Sequence, residues 1–189
     1  MKIIAFGHKK NVGKDTAARF LASEFRLKYK GSQVIKKGFA DKLKDIAHQL
    51  YGWAGVKSKE HYDINYNEKE EFIPIIGKTV RQIWIEIGNN IRDVYLHTWV
   101  DNVLKGTSCD LLAIYDLRYP NESYAIQNLG GFCVRIDRSS IEPTSDIADN
   151  ALDKFDNWDA VIENNGDLKE FYSNVIWCCE KLLEVKLHD

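Results

Sequence analysis

The chain has 189 residues, of which 44% are hydrophobic and 29% charged, and its formal net charge is −2. This length suits one domain with its own core, and the composition is unlike that of a disordered chain. A nearly neutral chain is not held on DNA or on an anionic membrane by bulk charge, so we expect neither a nucleic-acid nor a membrane partner.

Neither a membrane span nor a metal framework is indicated. No apolar run approaches the roughly 20 residues that a transmembrane helix needs, and the first six residues are too short for a signal peptide. The four cysteines form no Cys-x-x-Cys pair, which predicts reduced thiols in a cytoplasmic protein rather than a zinc site or disulfides.

Five short segments rich in Val, Ile, Leu and aromatic residues predict buried β-strands, at 2–6, 33–38, 111–116, 132–137 and 158–163. Apolar residues at helical spacing predict helices after Gly13 and at 41–50, 79–87, 94–104, 120–129 and about 168–183. Strands that alternate with helices predict an α/β fold of three layers, α/β/α, with a central parallel sheet of about five strands.

Two stretches have no clear period. The stretch 52–78 mixes aromatic, charged and glycine residues, and we interpret it as an irregular insertion that builds part of the site. The stretch 139–156 is interpreted as a lid. Both are expected within a single domain that spans residues 1–189.

The strongest motif joins the first strand to the first helix and reads Phe-Gly-His-Lys-Lys-Asn-Val-Gly-Lys-Asp-Thr at 6–16. A glycine-bearing turn directs backbone N–H groups toward an anion, and the new helix adds its positive dipole end. Lys14 then reaches the β- and γ-phosphates of a nucleotide, as in a P-loop. The residues expected at the phosphates are Gly7, Asn11, Val12, Gly13, Lys14, Asp15 and Thr16.

The motif departs from the strict P-loop pattern. Five residues rather than four separate Gly7 from Gly13, and Asp15 stands where Ser or Thr is usual, with Thr16 next. The alternative is a glycine turn that starts a helix and leaves Lys14 in solvent.

A second motif follows the strand at 111–116, which delivers Asp116 and then Arg118 at its carboxyl end. In open parallel sheets, ligands bind at that edge. Arg118 would contact the phosphates or an acceptor, and Asp116 would orient magnesium waters or brace an arginine. A structural ion pair between Asp116 and Arg118 is the competing explanation.

The Gly-Lys-Asp-Thr run at 13–16 resembles the loop of phage-type deoxynucleoside monophosphate kinases, within the P-loop nucleoside monophosphate kinase family. Similar segments follow in the family's order: Phe-Ala-Asp-Lys-Leu-Lys at 39–44, Thr-Val-Arg at 79–81 and Asp-Leu-Arg-Tyr-Pro-Asn-Glu at 116–122. The resemblance extends from residue 2 to about 182. His8 departs from it, since many relatives have glycine there.

The resemblance implies further site residues. Asp41 would face the acceptor nucleotide, although the alternative is that it only caps the following helix. Arg81, with Arg92 as a second candidate, would hold the acceptor phosphate, since guanidinium pairs with phosphate oxygens in two prongs. Arg138 would stack on adenine or reach a phosphate from the lid. Trp99 is expected to pack in the core.

The implied activity is transfer of the γ-phosphoryl group of ATP to a nucleoside monophosphate, with a deoxynucleotide as the expected acceptor, which gives ADP and the nucleoside diphosphate. Lys14, Arg81, Asp116 and Arg118 would carry the catalysis. Mg²⁺ would enter with ATP, with Thr16 contacting it directly or through water. The resemblance also implies a bacteriophage origin and a host-cytoplasmic location, as a monomer or homodimer. The alternatives are a hydroxyl-acceptor kinase similar to dephospho-coenzyme A kinase and a nucleotide-binding switch without transfer.

Overall fold

The computed structural model describes residues 1–142 and 147–188 and divides into two compact units. The first unit comprises Met1–Gly38 with Gly106–Asp189, and the second comprises Phe39–Lys105. The described strands are β1 (Lys2–Gly7), β2 (Val34–Lys37), β3 (Phe72–Ile73), β4 (Lys78–Thr79), β5 (Leu111–Leu117), β6 (Phe132–Asp137) and β7 (Ala160–Glu163). The described α-helices are α1 (Lys14–Lys28), α2 (Asp41–Tyr51), α3 (Lys59–Ile64), α4 (Val80–Val94), α5 (Thr98–Leu104), α6 (Pro120–Asn128), α7 (Ile147–Asn150) and α8 (Leu168–Leu183).

The first unit contains a parallel sheet of five strands in the order β2-β5-β1-β6-β7. β1 lies at its centre, where Ile4 is opposite Ala113 of β5 and Phe132 of β6. All five strands predicted from the sequence are present, although the first extends to Gly7 and the last begins only at Ala160. The predicted α/β class with a central five-strand parallel sheet is confirmed.

Helices cover both faces of this sheet because successive residues of a strand point to opposite faces. On one face, α1 and α8 pack against the sheet in a core that includes Ile4 and Ile176. On the other face, Ile3 meets α6: a Cβ atom at Gly131 would lie 2.8 Å from side-chain atoms of both Ile126 and Ile3. Since the strands are parallel, all their carboxyl ends lie at one edge, which carries the loops described below.

The second unit has a small core of its own, formed by Ala47, Val56, Tyr62, Ile73, Val80 and Ile83. We predicted an irregular insertion at 52–78, but this stretch contains two short 3-10 helices, α3 and a hairpin of β3 and β4. The prediction was wrong because α3 spans six residues and each strand two, which is too short for a period to show.

Two helix boundaries in the second unit also differ from the predictions. α4 continues to Val94 and ends where Tyr95 adopts an extended conformation. The hydroxyl of Thr98 donates to the Tyr95 carbonyl at 2.8 Å, and α5 begins at Thr98 rather than at Val94. Trp99 is 3% exposed and its indole N–H donates to the Gly88 carbonyl at 3.1 Å, which confirms its predicted place in the core.

None of the helices in the described part of the chain combines the length and the apolar character that crossing a membrane requires.

Candidate active site

The loop between β1 and α1 has the backbone conformation that its glycines suggest. Gly13 has a φ of 107°, and His8 and Asn11 also have positive values, 90° and 60°. Non-glycine residues rarely adopt such values. His8 therefore occupies a position whose backbone conformation favours glycine. This explains why glycine is usual at this position in the family that the loop resembles.

The loop is held by close contacts with the end of the sheet. A Cβ atom at Gly13 would lie 2.7 Å from Nδ2 of Asn164, which follows β7 and donates to the Val12 carbonyl at 2.8 Å. A Cβ atom at Gly7 would lie 2.7 Å from the ring of Trp158. Both glycines are thus required by their neighbours, and Asn164 is a supporting residue that sequence analysis missed.

Lys14 is the first residue of α1, and its side chain turns back over the loop. It is 6% exposed, and its Nζ donates to the carbonyl of His8 at 3.0 Å and to that of Lys9. Burial, and next the positive charge of Arg118, lower the pKa of Lys14 to about 7. The alternative of a lysine left in solvent is wrong.

The start of α1 presents hydrogen-bond donors to the loop. The first intrahelical bond joins the Ala17 N–H to the Gly13 carbonyl at 2.9 Å, so the amides of residues 14–16 precede the helical ladder. Asp15 pairs with Lys36 of β2 and lies 3.0 Å from Arg19 Nε. Its carboxylate is thereby neutralised beside a turn built for anions.

The end of β5 brings Asp116 and Arg118 to the same edge of the first unit. A Cβ atom at Gly38 would lie 2.7 Å from Asp116 Oδ2, so the Asp116 carboxylate lies against the end of β2. Arg118 Nη1 donates to Asp149 Oδ1 of α7. The carboxylate that Arg118 Nη1 contacts is that of Asp149, which sequence analysis did not single out.

Contacts also join the loop to the residues that follow α7. His8 Nδ1 lies 2.8 Å from Asp137 Oδ1 at the end of β6, and His8 Nε2 lies 3.4 Å from Asp153 Oδ1. Lys9 binds Asp153 and donates to Asn150 Oδ1 at 2.7 Å. Burial, followed by the charge of Arg135, lowers the pKa of His8, so the imidazole is neutral at neutral pH.

An open cavity of about 290 Å³ adjoins the loop, and Arg138 is among the residues that line it. The others include His8, Val12, Ile141 and Glu163. The predicted lid at 139–156 falls partly on residues 143–146, which lie outside the described residues, so it stays a prediction.

The structure brings together in the first unit the predicted phosphate-loop residues, with Asp116, Arg118 and Arg138 at the same edge. The predicted acceptor residues Asp41, Arg81 and Arg92 belong to the second unit.

The predicted acceptor residues have polar neighbours within the second unit. Arg81 Nη1 lies 3.3 Å from Glu70 Oε1, and its side chain is 22% exposed. Asp41 is the first residue of α2, in its first turn, and Ala40 occupies the N-cap position. Asp41 Oδ1 lies 3.7 Å from Lys59 Nζ, which also donates to Asp63 at 2.8 Å.

Two known proteins are similar to this chain over nearly its whole length. No family model matches the sequence. A protein of Acanthamoeba polyphaga mimivirus named "Putative deoxynucleotide monophosphate kinase" is 26% identical over 198 residues, which cover 95% of this chain and 97% of that protein. A crystal structure of shikimate kinase from Aquifex aeolicus superposes with a TM-score of 0.44 and 11% identity, covering 95% of this chain and 96% of that one. The assignment of the fold rests on the sheet order and the loop.

Proposed function

We propose that this protein transfers the γ-phosphoryl group of ATP to a nucleoside monophosphate, with a deoxynucleotide as the favoured acceptor. The observation that carries the proposal is the loop of residues 7–14, in which the buried Lys14, at the start of a helix, turns back to the carbonyls of His8 and Lys9. The mimivirus protein, similar over nearly its whole length, supports the same activity by its name.

The donor would bind with its phosphates in the loop. The amides of residues 14–16 and the Lys14 ammonium supply the donors for the β- and γ-phosphate oxygens. The cavity beside Arg138 would take the nucleoside, since it opens from His8 and Val12 of the same loop. Arg138 offers a flat guanidinium for stacking on a base.

The acceptor would be held by the second unit. Arg81 and Arg92 would bind its phosphate, because a guanidinium donates two parallel hydrogen bonds to phosphate oxygens. Asp41, the first residue of α2, would accept a hydrogen bond from the sugar or the base. The Arg81–Glu70 and Asp41–Lys59 contacts keep both side chains in place within that unit.

The chemistry needs position and charge rather than a base. An oxygen of the acceptor phosphate attacks the γ-phosphorus, the bond to the bridging oxygen breaks, and ADP leaves with those electrons. The attacking oxygen is already ionised, so no proton has to be removed. Lys14 and Arg118 would offset the charge that spreads over the transferred group.

Mg²⁺ would arrive as part of the substrate, MgATP. Among the described residues, no group of three or more His, Cys, Asp or Glu side chains could hold a metal ion alone. Magnesium keeps several waters and binds through one or two protein oxygens with substrate phosphates, so the Thr16 hydroxyl and the Asp116 carboxylate suffice as hard oxygen donors. The residues present therefore fit a magnesium ion brought in by the nucleotide.

The test is ADP release from MgATP, measured with a coupled assay against a panel of ribo- and deoxynucleoside monophosphates. Release that depends on one or a few acceptors, and that Lys14→Met removes, supports the proposal. Release that depends on a hydroxyl acceptor would instead indicate a kinase similar to dephospho-coenzyme A kinase, and would then require Asp41 or Asp116. ATP binding without any acceptor-dependent release would indicate a nucleotide switch.

A further inference from the structure

Asp149 is a buried acid at the edge of the candidate active site. Its side chain is 0% exposed, and Oδ1 accepts a hydrogen bond from Arg118 Nη1. Its other oxygen, Oδ2, is also buried and has no hydrogen-bond partner among residues 1–142 and 147–188. Among the described residues, the Asp149 carboxylate is therefore half satisfied.

Stability does not account for such a group. A buried ion pair gains little over apolar residues of the same volume, because both charges lose their water. An oxygen left without a partner adds the cost of its own desolvation. A half-satisfied buried carboxylate therefore calls for an explanation in function.

The pair lies near the lysine of the phosphate loop, at the carboxyl edge of the sheet. The pKa of Lys14 is lowered by the charge of Arg118 and raised by that of Asp149, so both charges act on the lysine of the loop. The Arg118 side chain is 30% exposed, so part of it remains open to a ligand. Within the described part of the chain, its contact with Asp149 uses Nη1, and phosphate oxygens would bind the other N–H donors of the guanidinium.

We propose that Asp149 is a positioning residue that fixes the Arg118 guanidinium at the phosphate loop before the nucleotide binds. This inference rests on the proposed function. Without Asp149, the Arg118 side chain would lose its rotamer freedom only during the reaction. That loss of entropy would raise the activation barrier of phosphoryl transfer. In the alternative hypothesis, called the internal-anion hypothesis, Asp149 competes with the phosphates for Arg118. It predicts that removing the Asp149 charge raises kcat rather than lowering it, and the test below distinguishes the two.

The experiment is a double-mutant cycle on steady-state kinetics, with Asp149→Asn, Arg118→Gln and the double variant. Asp149→Asn is expected to lower kcat by about 10- to 100-fold and to change the KM for ATP by less than about threefold. In the Arg118→Gln background, the same change is expected to have no further effect, because a positioning residue acts only through its partner. Asp149→Ser, which also removes the charge, is expected to give the same pattern.

The control is Glu184→Gln, an exposed acid just after α8, which should leave kcat and KM unchanged. A structural role for Asp149 alone would lower thermal stability and active fraction but not the kcat per active site. Equal losses of kcat in both backgrounds, or an unchanged kcat, would overturn the proposal. Tighter binding of inorganic tripolyphosphate with a raised kcat would replace it by the internal-anion hypothesis.

A second measurement does not depend on turnover. In ¹⁵N NMR spectra of the nucleotide-free protein, the guanidinium signals of Arg118, assigned with Arg118→Lys, are expected to be resolved and to broaden in Asp149→Asn. Unaltered signals would refute the positioning role. If the wild type transfers phosphate to no acceptor, the proposed function fails, and the spectra alone decide whether Asp149 fixes Arg118.

Discussion

Nucleotide binding should charge Lys14. In the nucleotide-free protein, burial and the nearby Arg118 lower the pKa of Lys14 to about 7. At about pH 8, roughly 0.9 of the lysines are therefore neutral. A bound triphosphate places several negative charges beside Nζ, and opposite charges favour the protonated form. The lysine must then take up a proton from solvent when MgATP binds.

The number of protons taken up follows from the change in the pKa of Lys14 on nucleotide binding. If the phosphates raise the pKa of Lys14 to about 9 or above, binding at about pH 8 takes up roughly 0.8 to 0.9 protons per site. The linked free energy is about 2.7 kcal/mol for two pKa units. The Kd for MgATP should therefore rise toward tenfold per pH unit between about pH 7 and pH 9, since a neutral lysine has to be protonated first.

Isothermal titration calorimetry in buffers of different ionisation enthalpy measures the uptake directly, because the slope of the observed enthalpy gives the number of protons. The titration uses MgATP without an acceptor, so that no transfer occurs. His8 is neutral in this range before the nucleotide binds, since burial lowers its pKa, and any proton that His8 takes up on binding would also appear in the Lys14→Arg variant. Lys14→Arg is the matched control: its guanidinium stays charged, so we expect no uptake and a Kd that does not change with pH.

A wild-type uptake below about 0.2 protons, with a Kd that is constant across this range, would refute the electrostatic account of Lys14. Uptake of the same size in Lys14→Arg would place the titrating group elsewhere.

Three further variants test the loop and the acceptor site. Lys14→Met should lower kcat by about 10³-fold or more yet not lower the melting temperature of the nucleotide-free protein at or below about pH 7. There the buried ammonium costs about 5 kcal/mol, because its pKa falls from 10.5 to about 7, and a large loss of melting temperature would contradict this. Gly13→Ala should destabilise by about 1–3 kcal/mol in denaturant titrations, since its φ is 107° and Asn164 is 2.7 Å from the new Cβ atom; an unchanged midpoint would show that the turn relaxes. Arg81→Lys should raise the KM for the acceptor by about tenfold and leave that for ATP unchanged, because lysine lacks the two-pronged contact; a matching rise for ATP would assign Arg81 elsewhere.

Local signals in the sequence were enough for the fold. The strands are short apolar runs, and the helices α1, α6 and α8 show their period, so the five-strand parallel sheet could be predicted. The phosphate loop was also predictable, because a strand, a Gly-Lys pair and an alanine-bearing helix follow in order. The second unit was predicted less well, since its elements are short and its core combines residues that no period connects.

The support of the site was not predictable, because its contacts join residues that are distant in sequence. Asp149 is 31 positions from Arg118, Asp137 is 129 from His8, and Asn164 is 152 from Val12. No local pattern distinguishes these residues from ordinary surface Asp and Asn. Only the parallel sheet, which gathers the carboxyl ends of its strands at one edge, makes them neighbours.

The departures of the loop from the strict pattern have a common physical basis in these distant contacts. An aspartate in place of Ser or Thr would repel an incoming phosphate, but Asp15 is paired with Lys36 of β2 and with Arg19. A histidine at a φ of 90° is strained, but Nδ1 of His8 lies 2.8 Å from Asp137 Oδ1, so the one N–H of the neutral ring has a carboxylate partner. A strict motif describes only consecutive residues, whereas an anion site depends on the electrostatic field of all nearby charges and on the backbone geometry. A loop can therefore still bind an anion when its residues differ from the strict pattern, provided that the sheet supplies the compensating charges.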